Sequence, residues 1–255
     1  MTCNSVGFIG CGNMGGAIFS ALRRSVPELK ISVFDPDERK TSVLDAHVCL
    51  TPVEAAETSD ITVLAVKPQI LPQVCQDLPQ GRYISLAAGI SLEQLSELLP
   101  GSEVIRFMPT MAALASSSPV AVCWNQELRP AWTDDALEIA QCAGQAIPID
   151  ESLMPAFIGV SGSGIAFIFQ FIHALALGGT LSGLSYERSL ELSKETMKGA
   201  VAFLEQTQMN PAEAVTLVTS PGGTTIAGIS ALEAGGFTPA VMKAVQTATE
   251  KSQNM

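Results

Sequence analysis

Short apolar runs rich in Val and Ile alternate with helical stretches along the first 150 residues. The apolar runs predict β-strands at Val6–Ile9, Ile31–Phe34, Ile61–Val66, Tyr83–Leu86, Val104–Phe107 and Val120–Trp124. The stretches between them predict helices that include Met14–Arg24, Val53–Thr58 and Leu92–Leu99. Because strands that lack a polar face must be covered on both sides, the alternation indicates an α/β fold with a doubly wound parallel sheet.

The pattern changes after Asp150. Beyond this residue the β-type runs stop, and apolar residues recur at helical spacing in Ile165–Ile172 and in Leu190–Leu204. The sequence therefore predicts two domains, an α/β domain over residues 1–150 and an all-helical domain over residues 151–255.

One stretch of the helical part, from Ser152 to Tyr186, carries no charge. Its continuous apolar core, Ile165–Leu177, is shorter than the about 20 residues that a membrane span needs, and it contains Gln170 and His173. We therefore predict that this stretch is not inserted in a membrane. We expect it to be a buried helix that is covered largely by a second copy of the chain.

Composition supports the same expectation. Only 15% of the residues are charged, against a typical share of about 25%, and a surface so poor in charge favours a dimer at minimum. The net charge is −11 and the 14 basic residues form no cluster, which argues against nucleic acid and anionic membranes as partners. The six cysteines show no C-x-x-C spacing and there are two histidines, so we expect no metal site. No export signal is visible, and we expect reduced thiols in a cytoplasmic protein.

A glycine motif joins the first strand to the first helix. Gly10, Gly12 and Gly15 form G-x-G-x-x-G, in which the first glycine permits a tight turn, the second a close approach of a pyrophosphate, and the third close packing of helix on strand. The helix N-terminus then holds the phosphates. Because the motif lies within a βαβ unit and Asp35 closes the next strand, it predicts a Rossmann-type dinucleotide-binding domain.

Asp35 also bears on which cofactor binds. A carboxylate at this point accepts hydrogen bonds from the adenosine ribose hydroxyls and repels a 2′-phosphate, which favours NADH weakly. Arg39 and Lys40 follow in the next helix and could hold a phosphate instead. The alternative is that Asp35 serves only as a turn residue before Pro36.

Two further loops, Ala65–Pro68 and Ala87–Gly89, leave the carboxyl ends of predicted strands, where ligands of open α/β sheets bind. Small residues in the second loop suit a flat nicotinamide ring, whereas Lys67 in the first has an ordinary exposed lysine as its alternative. The predicted cofactor site comprises Gly10, Cys11, Gly12, Asn13, Met14, Asp35, Ala65, Val66, Lys67, Pro68, Ala87, Ala88 and Gly89.

The segment Ser220–Thr225 is the most unusual of the chain. Ser220 is predicted to cap a helix whose first residue is Pro221. The glycines and threonines that follow expose backbone N–H groups at a helix start, which suits a carboxylate. Capping alone does not explain so many small residues in one turn, so we predict a substrate-binding set of Ser220, Gly222, Gly223 and Thr224.

Together these motifs resemble the pyrroline-5-carboxylate reductase family. The resemblance runs from about residue 5 to 253 and is carried by Gly7–Gly15, Ala65–Pro68, Ser85–Gly89, Val160–Gly164 and Ser220–Thr225. It implies reduction of the cyclic imine 1-pyrroline-5-carboxylate to L-proline by NAD(P)H, the last step of proline biosynthesis. It also implies a helical dimerisation domain, often within larger rings, and an active site completed across the dimer.

The resemblance assigns a role to Thr225. The family places this threonine near the imine nitrogen, so Thr225 is the candidate catalytic residue, either as a proton donor or as a group that orients an iminium already protonated. Threonine is a weak acid, so we expect positioning to supply most of the catalysis.

The sequence departs from the family pattern near the predicted cleft. Thr110, Met111 and Ala112 stand where Asn-Thr-Pro is usual, and Ile165 and Phe167 stand where Pro and Tyr are usual. These changes leave open a different cyclic imine as substrate, or a catalytically inactive NAD(P)-binding relative. The β-hydroxyacid dehydrogenases are a further alternative, but they place a catalytic lysine on the first helix after the Rossmann domain, where this chain has none.

Overall fold

The computed structural model describes residues 1–125 and 128–254. The strands are β1 Ser5–Ile9, β2 Lys30–Phe34, β3 His47–Val48, β4 Ile61–Leu64, β5 Arg82–Ser85, β6 Glu103–Met108, β7 Ser118–Trp124 and β8 Gly144–Pro148. The helices of the first part are α1 Asn13–Ser25, α2 Glu38–Thr41, α3 Pro52–Glu57, α4 Leu71–Cys75, α5 Leu92–Leu98, α6 Pro130–Cys142 and α7 Met154–Phe157. The later helices are α8 Gly164–Leu181, α9 Tyr186–Thr207, α10 Pro211–Leu217, α11 Thr224–Ala234 and α12 Phe237–Gln253.

The strands form one sheet in the order β3-β2-β1-β4-β5-β6-β7-β8. In its centre Val6 of β1 lies opposite Ile31 of β2 on one side and Ile61 of β4 on the other, both in parallel register. The predicted α/β class is therefore confirmed, and the strand order reverses between β1 and β4. Ligands of such sheets bind outside the carboxyl ends of the strands at this reversal.

One pair of strands departs from the predicted parallel arrangement. β6 and β7 are antiparallel, and β8 then runs parallel to β7. Only a short 3₁₀ turn, Met111–Ala115, connects β6 with β7, whereas a parallel pair needs a crossover of a dozen or more residues. The length of this connection therefore forces β7 to turn back.

Side chains of each central strand alternate between two apolar layers. Val6 and Phe8 of β1 pack with residues of α1 and α6, including the fully buried Trp132. Ile9 of the same strand packs on the other face with residues of α3, α4 and α5, such as Leu95. Both faces of the sheet are covered, which holds the loops at its carboxyl edge in fixed places.

Several helices begin where the sequence supplies the cap. Ser91 and Gln94 form a reciprocal capping box at the start of α5. The side chain of Thr51 accepts from the Glu54 N–H at the start of α3, whose first residue is Pro52. These caps set the entry points of the two helices that follow loops of the sheet edge.

The contacts divide the chain into two compact units. The first comprises residues 1–162 and 249–255, and the second comprises 163–248. The boundary at residues 150 and 151 that the sequence predicts stays a prediction.

The long helix α8 is largely exposed in the single chain. Phe169 is 61% exposed and Leu181 is 91% exposed, while Gly164 and Ala176 are its buried residues. Within the described residues one helical run, Glu151–Leu181, is long and apolar enough to cross a membrane by length and composition alone, with 17% of its apolar window buried. Burial of this helix therefore requires something outside the single chain.

Candidate active site

The glycine loop after β1 has three positions with three different surroundings. Gly10 has a φ of 97°, and a Cβ there would lie 2.7 Å from the Ala65 carbonyl oxygen. A Cβ at Gly15 would lie 2.2 Å from the Gly10 carbonyl oxygen, so α1 packs against the loop too closely for any side chain. At Gly12 a Cβ would meet no atom of the described chain within 4 Å. The first and third glycines thus leave no room for a side chain, whereas the space beside the second glycine, Gly12, is open to a ligand.

The open position coincides with the N-terminus of α1. Gly12 is the N-cap residue and provides no side-chain hydrogen bond, and the first turn carries no acidic residue. The first N–H groups of a helix lack partners within the helix and carry the positive end of its dipole. The N–H groups of Asn13, Met14 and Gly15 are therefore able to bind an anion such as a pyrophosphate.

Asp35 holds this loop from the end of β2. The Cys11 N–H donates to Asp35 Oδ2 over 2.8 Å, and the Asp37 N–H donates to Oδ1 over 2.9 Å. The Lys40 ammonium lies 3.1 Å from the same Oδ1. Burial alone would raise the pKa of Asp35, but the two N–H groups and Lys40 outweigh it and lower the pKa. Asp35 is therefore a stable carboxylate that ties the glycine loop to the turn after β2.

Asp35 thus does serve as a turn residue, as the alternative interpretation has it, because it binds the N–H two residues on. It does more than that, since it also fixes Cys11. The neighbouring Arg39 is bound to Asp37, with 2.8 Å between Nε and Oδ1, and its side chain is 90% exposed. The two basic side chains near the end of β2 are therefore both paired with carboxylates.

Cys11 itself is a buried thiol within the loop. Burial, followed by the charge of Asp35, raises its pKa to about 12. The side chain is therefore neutral and contributes shape rather than charge to the cofactor loop.

The loops after β4 and β5 follow the glycine loop along the same edge of the sheet, because β4 pairs with β1 and β5 pairs with β4. The Ala65 N–H donates to the Ile9 carbonyl over 2.8 Å, and the Leu86 N–H donates to the Leu64 carbonyl over 3.0 Å. Gly89 ends the second loop with a φ of 75°, which favours glycine. The structure thus brings the predicted cofactor residues together along one edge of the sheet.

Lys67 is exposed and starts a short 3₁₀ turn, Pro68–Ile70. The Lys67 carbonyl accepts the Ile70 N–H over 3.1 Å, whereas its ammonium group makes no hydrogen bond or ion pair within the part of the chain that the structure describes. Its ammonium is free to bind an anionic group of a ligand at this edge.

A cavity of about 340 Å³ adjoins the loop at Gly89. Its wall includes Arg106 of β6 and Glu151, which form an ion pair, and Glu151 Oε1 also accepts the Leu92 N–H over 2.8 Å. Glu151 therefore connects β6, the start of α5 and the segment that leads to the helical part. This pair was not predicted from the sequence, although a single arginine within the apolar run Val104–Phe107 indicates a buried partner.

The segment Ser220–Thr225 differs from its prediction in one respect. Ser220 is not a helix cap, since the N-cap of α11 is Gly223 and the helix begins at Thr224. The Gly223 N–H donates to the Ser220 carbonyl over 3.0 Å, and Gly222 has a φ of 69°. These features define a type II turn with Pro221 and Gly222 at its centre, and the positive φ prevents the helix from starting earlier.

The turn leaves the start of α11 open. Gly223 makes no side-chain cap hydrogen bond, and the first turn of the helix carries no acidic residue. The N–H groups of Thr224 and Thr225 therefore lack a partner within the helix, and both hydroxyls lie on its exposed first turn. A carboxylate and a hydrogen-bonding nitrogen are the groups that this arrangement can hold.

Comparison with known proteins places this chain among reductases. A protein-family model described as pyrroline-5-carboxylate reductase dimerisation matches residues 151–255, and one described as NADP oxidoreductase coenzyme F420-dependent matches residues 5–89. The pyrroline-5-carboxylate reductase of Methanosarcina acetivorans is 37% identical over 100% of this chain and 99% of its own. That of Synechocystis is 36% identical over 98% of this chain and 97% of its own. The chain belongs to the pyrroline-5-carboxylate reductase family.

Solved structures agree with this membership. A pyrroline-5-carboxylate reductase from Coxiella burnetii superimposes with a TM-score of 0.91 at 27% identity, covering 100% of this chain and 98% of that one. The Plasmodium falciparum pyrroline carboxylate reductase with NADP bound has a TM-score of 0.88 at 27% identity, covering 98% and 97%. The predicted family and the predicted fold class are both confirmed.

One departure from the family pattern has a structural use in this chain. Thr110 is buried and its hydroxyl accepts the Ala112 N–H over 3.2 Å, which caps the 3₁₀ turn after β6. Its own N–H donates to Ser118 Oγ over 2.8 Å. The residue that replaces the family's usual asparagine is therefore fully hydrogen-bonded and holds β6 against β7.

Proposed function

We propose that the protein transfers a hydride from NAD(P)H to the imine carbon of 1-pyrroline-5-carboxylate and so forms L-proline, the last step of proline biosynthesis. The observation that carries this proposal is the open first turn of α11, where two threonines follow a type II turn without any cap. Membership of the reductase family supports the choice of substrate.

The glycine loop and its neighbours supply the cofactor half of the proposal. We assign the pyrophosphate to the N–H groups of Asn13 and Met14 over the open position at Gly12. The loops Ala65–Pro68 and Ala87–Gly89 form the remaining wall at the same sheet edge. When bound, the cofactor supplies the hydride from its dihydronicotinamide ring.

The turn at Ser220–Gly223 and the start of α11 supply the substrate half. The substrate carboxylate is assigned to the N–H groups of the first turn, including that of Thr224. The Thr225 hydroxyl then hydrogen-bonds the imine nitrogen, which must carry a proton when the neighbouring carbon accepts the hydride. Thr225 either donates that proton or orients an iminium that is already protonated, and in both cases its main effect is to restrict the geometry of the reacting ring.

We retain the weak preference for NADH as part of the proposal. Asp35 is ionised and repels a 2′-phosphate, but Lys40 at 3.1 Å offsets much of that repulsion. If Asp35 sets the preference, Asp35→Ser narrows or reverses the ratio of kcat/KM for NADH over NADPH. An unchanged ratio would mean that Asp35 only holds the glycine loop and does not select the cofactor.

We further propose a homodimer or a larger ring in the cytoplasm. The apolar exposed face of α8 supports self-association, and the dimerisation model that matches residues 151–255 points the same way. The net charge of −11 supports the absence of nucleic acid and anionic membrane as partners.

The test is steady-state oxidation of NADH and NADPH in the presence of 1-pyrroline-5-carboxylate and a panel of other cyclic imines. We expect turnover with formation of proline and lower kcat/KM for rings without a carboxylate. If only another cyclic imine is reduced, that imine is the substrate in place of 1-pyrroline-5-carboxylate. If the protein binds the cofactor but reduces no imine, it is an inactive NAD(P)-binding relative.

A further inference from the structure

Three potential metal ligands converge at the β3 edge of the sheet. They are His47, Cys49 and Glu54, and one donor atom of each lies within 4.8 Å of the other two. From this cluster we propose a binding site for a divalent transition-metal ion of the zinc class, whose ligands are none of the residues assigned to the cofactor or the substrate.

The backbone explains why these side chains meet. His47 lies in β3, and Cys49 continues that strand, since its N–H donates to the Val33 carbonyl over 2.9 Å. Residues two apart on a strand point to the same face. Glu54 lies in the first turn of α3, which is fixed by its Thr51 cap. The three ligands, spaced H-x-C-x₄-E, are thus brought together by a strand, a turn and a helix.

The distances suit a small ion. His47 Nε2 and Glu54 Oε1 are 3.8 Å apart. In a tetrahedral zinc site with bonds of about 2.0–2.3 Å, neighbouring ligand atoms are roughly 3.3–3.7 Å apart. The His47–Glu54 pair is close to this spacing, and the Cys49 sulfur lies within 4.8 Å of both, so the side chains must close by at most roughly 1.5 Å to bind one ion. Three ligands leave a fourth position for water.

The donor types select the metal. An imidazole and a thiolate favour Zn²⁺ and Co²⁺ over Mg²⁺ and Ca²⁺, which prefer oxygen ligands. A neutral imidazole, a thiolate and a carboxylate together carry two negative charges, which a divalent ion neutralises. Binding releases the Cys49 proton, because the thiol gives up its hydrogen when the sulfur–metal bond forms.

Surrounding groups hold the ligands in place. The second oxygen of Glu54, Oε2, accepts the Leu50 N–H over 2.6 Å. Burial, followed by the charge of Glu54, raises the pKa of the Cys49 thiol, whereas the hydroxyls of Thr58 and Ser32 beside the sulfur lower it. Those two hydroxyls are available to stabilise a metal-bound thiolate. The His47 side chain is 65% exposed and gives an entry path from solvent.

The proposal is tested by titrating the full-length, tag-free protein with Co²⁺ and recording the thiolate-to-cobalt charge-transfer band. We expect a band that saturates at about one ion per chain and is competed away by Zn²⁺ but not by Mg²⁺. Cys49→Ser should abolish the band. His47→Gln and Glu54→Gln should each weaken Co²⁺ binding by at least about tenfold.

Cys75→Ser is the matched control, because Cys75 is equally buried and burial is what raises its pKa. This variant should keep the band. A band that survives in Cys49→Ser, or that never forms in the wild type, would overturn the proposal.

A melting experiment covers the case in which Cys49→Ser does not fold. A hundredfold excess of Zn²⁺ over its Kd should raise the Tm of the wild type by roughly 5 °C or more. The exposed His47→Gln variant, which has no reason to unfold, should lose about half of that rise or more, as a tenfold or greater loss of affinity requires. An equal rise in both proteins would also overturn the proposal.

Discussion

The two units of the molecule treat their apolar side chains in opposite ways. In the α/β unit, Val6, Phe8 and Trp132 are fully buried within the chain. In the helical unit, Phe169 of α8 is 61% exposed, and α10 and α11 contain no buried residue among those described. The first unit therefore has a complete core of its own, whereas the second presents the kind of surface that another subunit covers.

Because of this difference, the candidate cofactor site at the sheet edge and the candidate substrate site at the start of α11 depend on different parts of the assembly for their geometry. The cofactor loops are attached to a sheet that is covered on both faces, so their geometry depends on a single chain. The turn at Ser220–Gly223 belongs to a unit with little core, so we expect its geometry to depend on association. We therefore expect mutations in the two units to have different dependence on protein concentration.

The largest effect should come from a charge on the exposed face of α8. Phe169→Asp places an unpaired carboxylate in the proposed interface, where such a group costs about 3–5 kcal/mol. The dissociation constant of the dimer should rise by at least about a hundredfold, with a parallel loss of activity at low protein concentration. Light scattering and sedimentation measure the change.

The control is Thr196→Asp on α9, which adds the same charge beside Glu195 and Lys198 on an exposed, charged stretch of helix. It should leave the oligomer intact. A wild-type protein that stays a 26.7 kDa monomer at micromolar concentration would contradict the proposal that a second subunit covers the helical unit.

The glycine loop offers a sharper contrast within the α/β unit. Gly15→Ala forces a Cβ to 2.2 Å from the Gly10 carbonyl oxygen, and should lower stability by about 2–3 kcal/mol and Tm by roughly 5–10 °C. Gly12→Ala meets no neighbouring atom of the described chain, so its Tm should hardly change.

The same two variants should differ in cofactor binding. The Gly12→Ala methyl group occupies the open face over the α1 N-terminus, so NAD(P)H affinity should fall at least about tenfold in a well-folded protein. Cofactor fluorescence and thermal melts distinguish the two outcomes. Normal NAD(P)H affinity in Gly12→Ala would contradict the assignment of the pyrophosphate to the N-terminus of α1.

Thr225→Val tests the helical half-site. Valine keeps the branching at Cβ and the helix start but removes the hydroxyl, so kcat should fall by at least about tenfold while the Kd of the cofactor stays the same. Thr224→Val should have a smaller effect, because its backbone N–H remains. If Thr225→Val keeps near-full kcat, the hydroxyl has no part in the reaction.

The smallest expected effect concerns the pH dependence of Asp35. Its pKa is lowered in the folded protein, so its contribution to stability is complete above the unfolded-state pKa of about 3.9 and is lost as the pH falls through the folded value. Asp35→Asn should therefore cost about 1–2 kcal/mol at pH 7. Denaturant unfolding of both proteins should converge below pH 4, and a constant difference would contradict the assignment.

The sequence predicted the parts of the fold that carry strong local patterns. The β1–α1–β2 segment combines Val- and Ile-rich strands with a glycine motif, and its elements lie within one residue of their predicted places. β3 and β8 were not predicted, because β3 has two residues and β8 begins with Gly144 and ends with Pro148. Neither has the apolar run by which a strand is recognised.

Site residues were predictable where one segment carries the signal. Asp35 could be located by its distance from the glycine motif, but its hydrogen bond to Cys11 depends on how two loops meet. Ser220 was wrongly expected to cap α11, because capping statistics do not reveal the positive φ of Gly222. Arg106 and Glu151 are far apart in sequence, and only the fold pairs them.

The buried Cys11 thiol gives the cofactor loop a chemical property that its sequence does not suggest. Burial, followed by the charge of Asp35, raises the pKa of this thiol to about 12, so the thiol is neutral at pH 7. Oxidants and alkylating agents react with the thiolate, so we expect the sulfur in the glycine loop to react slowly with both. We therefore expect the glycine loop to keep its shape, and the protein to keep its affinity for the cofactor, after exposure to mild oxidants.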